Sequence, residues 1–131
     1  MLIQTYVAVM AGGAIGSALR MALSLWIADR LDHPFPLGTL VVNVTGCFAI
    51  GFFGGLTEPD GPLLVSPVVR QGVMIGVFGG YTTFSSFGLQ TMLLANDGQW
   101  GWAGMNIVFS VVFCLIAVWL GALAARAIIL R

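Results

Sequence analysis

Charge is the scarcest commodity in this chain. Only 8% of its 131 residues are Asp, Glu, Lys or Arg, lysine is absent, and five arginines balance five acids. Soluble domains carry about 25% charged residues, so water cannot be the main solvent of this surface. The missing lysines and the lack of any basic patch exclude nucleic acid as a partner. Cysteine is rarer still. Cys47 and Cys114 lie far apart in apolar runs, there is no CxxC pair, and His33 is the single histidine. A structural zinc site, a haem attachment and a disulfide framework are therefore unsupported, and the two thiols read as small apolar packing residues. No acid/base pair and no nucleophile beside a base exists, so the chain does not read as an enzyme.

What is present is hydrocarbon. Hydrophobic residues make up 59% of the chain and the mean hydropathy is +1.01, which defines an integral membrane protein. The charges and breakers leave four apolar intervals, residues 5–28, 38–56, 68–95 and 100–125. Each is long enough for a helix to cross about 30 Å of hydrocarbon at 1.5 Å per residue. The expected fold is all-α, one domain over residues 1–131 with four transmembrane helices. The first interval has no basic segment ahead of it and is too long for a signal peptide, so it reads as a retained helix. With four crossings, Arg70, Arg126 and Arg131 share one side and Arg30 takes the other. Orientation is thus weakly specified by the positive-inside rule, and antiparallel pairing of two copies becomes available. So small a chain cannot easily enclose a pathway alone, which predicts a homo-oligomer.

Glycine is the second signal, with 18 residues. Gly12 and Gly16, Gly51 and Gly55, and Gly72, Gly76 and Gly80 recur at the four-residue spacing that lets helix backbones approach closely. These faces read either as packing within one protomer or, for some of them, as the dimer interface.

Polar residues inside the intervals carry the functional information, because each destabilises the membrane-inserted state unless paired or wetted. No Asp or Glu lies in any interval, which argues against a proton-coupled small multidrug exporter. Arg20 reads either as a snorkelling anchor or as a fixed charge at the base of a vestibule that concentrates anions. Asn43 and Cys47 share a helix face, and Asn106, Ser110 and Cys114 form a similar line in the fourth interval. The stretch Gly79-Gly80-Tyr81-Thr82-Thr83-Phe84-Ser85-Ser86-Phe87 makes a poor continuous helix. A break near the bilayer centre is expected there, and such breaks expose carbonyls that can hold a cation. Phe84 and Phe87 project toward one line, and their electropositive edges beside hydroxyls would suit a small anion.

Three motifs resemble a known family. Gly12-Gly13-Ala14-Ile15-Gly16-Ser17-Ala18-Leu19-Arg20, Gly38-Thr39-Leu40-Val41-Val42-Asn43-Val44-Thr45-Gly46 and the Gly79–Phe87 stretch are similar, in order and spacing, to the bacterial and archaeal CrcB-like fluoride channels of the Fluc type. The resemblance implies an antiparallel, dual-topology homodimer in the cell membrane that conducts fluoride passively and selectively over chloride. It implies a structural sodium ion at the dimer centre, held by the backbone carbonyls of Gly79 and Thr82 from both protomers. Phe84 and Phe87 would line the pore, Asn43 would donate a hydrogen bond to the ion, and Ser85, Ser86 and Ser110 would lie on or near a polar track. Arg20 matches the arginine that ends the first motif. Gln90 stands where the family often has glutamate, and Asn106 and Cys114 stand where it often has hydroxyls. The reading is a fluoride channel that lowers cytoplasmic fluoride. The alternatives are the small multidrug exporter and a structural membrane subunit without transport activity, which would leave the Thr/Ser/Phe row unexplained.

Overall fold

The computed structural model describes residues 1–130, and among these every regular element is helical. Helix α1 runs Leu2–Arg30 and α2 runs Leu37–Leu56. A third helical run follows, built from α3 (Pro67–Gln71), a π-helical segment (Gly72–Phe78) and α4 (Gly79–Tyr81). Two extended residues, Thr82 and Thr83, separate it from α5 (Phe84–Asn96), and α6 occupies Trp100–Ile129. Helices α1, α2 and α6 are each long and apolar enough to cross a membrane. Both α1 and α6 extend a few residues beyond the apolar intervals that define them in the sequence.

Local chemistry sets the boundaries. Ser66 caps α3 by accepting from Val69 N–H, with Pro67 at the first helical position. Thr83 caps α5 by accepting from Ser86 N–H at 3.1 Å. The turn into α6 needs Gly98, whose φ of +75° is accessible to glycine without a Cβ clash. Gly98 N–H and Gln99 N–H then satisfy the carbonyls of Ala95 and Leu94.

The interior is built from small and polar residues, and the large apolar side chains face outward. Val42, Asn106 and Ala125 are almost fully buried, whereas Ile3, Met10, Ile75 and Trp119 are exposed. That inversion suits a lipid solvent, in which small residues drive helix association. The glycines do this directly. A Cβ on Gly12 would strike the carbonyl of Gly72, and one on Gly80 would stand 2.7 Å from the carbonyl of Gly13, so α1 and the third run touch backbone to backbone. Gly51 meets Val118 and Gly121 meets Phe48 in the same manner, joining α2 to α6. The spaced glycines identified in the sequence therefore close seams within the protomer.

Candidate functional site: a polar cleft beside a helix break

The break at Thr82–Thr83 is held from three directions. Asn43 Nδ2 donates to the Thr83 carbonyl at 2.9 Å, and Thr83 N–H donates to Asn43 Oδ1 at 2.7 Å. This reciprocal clamp is buried and gives both backbone groups of Thr83 a partner, which lets an extended residue persist among helices. From α1, Ser17 Oγ donates to the Gly80 carbonyl at 3.4 Å and Arg20 donates to the Thr82 carbonyl at 3.3 Å. Tyr81 and Thr45 hydroxyls meet at 2.8 Å on the α2 side.

The break also frees carbonyls. In a continuous helix Thr83 N–H would serve the Gly79 carbonyl and Ser86 N–H the Thr82 carbonyl. Here the first goes to Asn43 and the second to Thr83 Oγ1. Gly79 is exposed at the protomer surface. Hard, uncharged oxygens of this kind are the type of donor a small alkali cation takes, so Gly79 and Thr82 are the residues that would hold the sodium the sequence resemblance implies. Arg20 already supplies one positive partner to Thr82.

Next to the break lies a cleft of about 340 Å³ lined by Asn43, Cys47, Thr82, Thr83, Phe84, Phe87, Ser110, Val111, Cys114 and Leu115. Three elements supply it: α2 gives Asn43 and Cys47, α5 gives the two rings, and α6 gives Ser110 and Cys114. The rings of Phe84 and Phe87 are 5.1 Å apart between centroids and tilted by 49°. Phe87 is 8% exposed and Phe84 80%, so one ring is seated in the protomer and the other stands at its rim. Asn43 keeps one amide hydrogen beyond the bond to Thr83, and it lies on the cleft wall. The cleft thus presents one free amide hydrogen and ring edges on a largely apolar wall with no carboxylate, while the hydroxyl hydrogens of Thr82, Thr83 and Ser110 are given to Phe78 O, Ser86 Oγ and Asn106 Oδ1. Its chemistry favours a small anion over a cation.

The structure separates the remaining expected residues. Ser110 lines the cleft and donates to Asn106 Oδ1 at 3.3 Å. Ser85 and Ser86 do not line it. Their hydroxyls lie 3.2 Å and 3.0 Å from Thr83 Oγ1, gathered at the α5 cap instead. Arg20 reaches the break and lies away from the cleft lining. Gln90 lines a separate cavity of about 490 Å³ with Ser24, Thr39, His33 and Asp97, and its Oε1 is buried without a partner. The two cysteines are half-buried on the largely apolar cleft wall.

Two features escaped the sequence reading. Asn106 Nδ2 donates to Thr91 Oγ1 at 2.8 Å, and Thr91 Oγ1 donates to the Phe87 carbonyl at 2.8 Å. A hydrogen-bonded chain therefore links Ser110 on the wall to the backbone under Phe87. Thr91 is an isolated hydroxyl in an apolar stretch, and only its position four residues after Phe87 hinted at this. The π-helical segment is the other, and its wider turn carries Gly72 and Gly76 against α1.

Fold and site together define a small, multi-pass, all-helical membrane protein with a largely apolar cleft beside an interrupted helix. The family described as CrcB-like protein, Camphor Resistance (CrcB), matches residues 7–122, and the chain belongs to that family. It is 57% identical over 120 residues to a protein of Opitutus terrae named fluoride-specific ion channel FluC, covering 92% of this chain and 91% of that one. A Rhodospirillum rubrum protein of the same name is 56% identical over 92% of this chain and 94% of its own length. One from Elusimicrobium minutum is 41% identical over 98% of both.

Proposed function

We propose that this protein is a fluoride-selective passive channel of the cell membrane, and that the cleft between α2, α5 and α6 is the protomer's share of the fluoride pathway. The observation that carries the reading is near full-length identity to proteins named fluoride-specific ion channel FluC. The cleft adds a physical reason. Fluoride is small, strongly hydrated and a strong hydrogen-bond acceptor, so releasing its water requires close donors. The free amide hydrogen of Asn43 and the edges of Phe84 and Phe87 supply such groups at one place, with Ser110 beside them.

Four crossings complete the topology, with the composite run from α3 to α5 as the third and its break near the bilayer centre. The functional unit is an antiparallel homodimer, because the cleft is open in a single protomer and Phe84 stands at its rim. A sodium ion between the two copies would be held by the carbonyls of Gly79 and Thr82. It would fix the break by attracting carbonyl dipoles that no amide satisfies.

The deciding experiment uses purified protein in liposomes loaded with potassium fluoride, with external fluoride followed after a potassium ionophore is added. Ionophore-dependent fluoride efflux with little chloride efflux from parallel liposomes is the expected result. A well-folded preparation that releases neither anion would leave the structural-subunit reading in its place.

A further inference from the structure

The cleft contains two groups that a fluoride pathway does not call for, the thiols of Cys47 and Cys114. Both line it and both are free and half-buried. The packing of α2 on α6 shows why they meet. The two helices run parallel, with Gly51 against the backbone of Val118 and Gly55 against Ala122 and Ala125. One turn back along each helix, the same register puts Cys47 opposite Cys114. A further turn puts Asn43 opposite Ser110, and this pair also lines the cleft. Cys47 and Cys114 thus face one another across the same cleft.

We propose that Cys47 and Cys114 form a two-thiolate site for a soft, linearly coordinating divalent cation, with mercury(II) as its probe, and that filling this site closes the cleft. The closure half of the proposal rests on the cleft being the fluoride pathway; the binding half does not.

The chemistry of the surroundings selects the ion. Thiolate sulfur is a soft ligand, and a bound thiolate has given up its proton. Each thiol releases one proton to water, two sulfur–metal bonds form, and no electron is transferred. With a divalent cation the product is neutral, so it avoids the penalty that a net charge meets in an apolar interior. A monovalent cation would leave a net negative complex. Zinc would find too few ligands, since it takes four and no group of three His, Cys, Asp or Glu exists among the described residues. A neutral metal bridge between α2 and α6 would stand one turn from Asn43 and Ser110 and take up the space between them and Leu115.

Mercuric chloride is titrated into the wild-type protein and into Cys47→Ser, Cys114→Ser and the double variant. Binding is read by the ultraviolet charge-transfer band of mercury thiolate and by intact mass, and closure by fluoride efflux from liposomes. One mercury per chain is expected, with both thiols becoming unreactive to maleimide together. Each single serine variant should bind about 100-fold more weakly, because the second thiolate no longer acts at high effective concentration. Wild-type efflux should stop at one equivalent and return with excess dithiothreitol, whereas efflux by the double variant should be insensitive to mercury. Two mercury ions per chain, or single variants that bind as tightly as wild type, would overturn the site. One bound mercury with undiminished efflux would overturn the closure alone. A wild-type protein that shows no efflux before mercury is added refutes the channel reading instead, and the stoichiometry still decides the site.

Discussion

Two helix seams run through this protein and they behave in opposite ways. Between α1 and the third helical run, glycine faces glycine: Gly12, Gly16, Gly76 and Gly80 let backbone meet backbone. Between α2 and α6 the seam is closed where Gly51, Gly55 and Gly121 lie, and a cleft adjoins it where Asn43 and Cys47 oppose Ser110 and Cys114. Both seams use small side chains and the same parallel or antiparallel packing logic of membrane helices. The difference is what replaces glycine. A closed seam positions the break, while side chains of intermediate size and polar character hold the second seam apart and give the space a chemistry. The first seam is a foundation and the second is a wall.

The sharpest way to break this comparison is to put a side chain into the closed seam. A Cβ on Gly16 would collide with the Val77 carbonyl and lie 2.8 Å from Tyr81 N. Neither atom belongs to a flexible side chain, so the helices themselves must separate. Gly16→Leu should destabilise the protein by about 3 kcal/mol or more, at or beyond the upper end of ordinary overpacking. The measure is the yield of monodisperse protein and its thermal midpoint in detergent. A wild-type midpoint would mean that the seam is looser than its geometry.

The open seam should respond in flux more than in folding. Phe84→Ile and Phe87→Ile should each reduce fluoride efflux about tenfold or more, equivalent to 1.36 kcal/mol of barrier. The two rings should part company in stability. Phe87 is buried and Phe84 is 80% exposed, so Phe87→Ala should destabilise the protomer by about 3 kcal/mol. Phe84→Ala should remain within about 0.5 kcal/mol, as read by thermal unfolding of detergent-solubilised protein. Undiminished efflux in both isoleucine variants would remove the rings from the mechanism.

Asn43 joins the two regions, since it stands on the cleft wall and clamps the break. Asn43→Ala leaves the buried N–H and C=O of Thr83 without partners, which should destabilise the fold by about 1–3 kcal/mol and slow efflux. Asn43→Asp keeps an acceptor for Thr83 N–H but brings an anion to the cleft, so it should retain more stability than alanine while conducting no better. A wild-type thermal midpoint in Asn43→Ala would show that the clamp is dispensable. A wild-type rate in Asn43→Ala would make this side chain helix glue only.

Much of the site was legible because lipid makes polar residues conspicuous. Asn43, Thr82, Thr83 and Ser110 stand out in apolar intervals, and the 3.6-residue turn is enough to align Phe84 with Phe87. Contiguity places residues near the cleft without saying which of them line it. Ser85 and Ser86 adjoin the rings in sequence, yet a helix that begins at Phe84 turns about 100° per residue and carries them off the cleft face to the cap at Thr83. Partners far along the chain were not legible either. Nothing local to Asn43 says that its amide meets a backbone 40 residues away, and nothing local to Arg20 says that it reaches the Thr82 carbonyl. The π-helical turn is invisible for a different reason: it changes hydrogen-bond register without requiring a particular residue.

The smallest effect tests the closed seam from its blind side. Gly13 sits beside Gly12 on α1, and a Cβ there would meet nothing within 4 Å. Its neighbour is required by contact, while Gly13 lends only its backbone to Gly80. Gly13→Ala should therefore keep the seam intact and gain helix propensity, which is worth at most about 1 kcal/mol for this exchange. The thermal midpoint should rise slightly or stay level, and fluoride efflux should be unchanged. If Gly13→Ala instead destabilised the protein as Gly12→Ala does, the face of α1 bearing Gly13 would have to be covered in the assembled protein. That result would place the seam between two copies as well as within one.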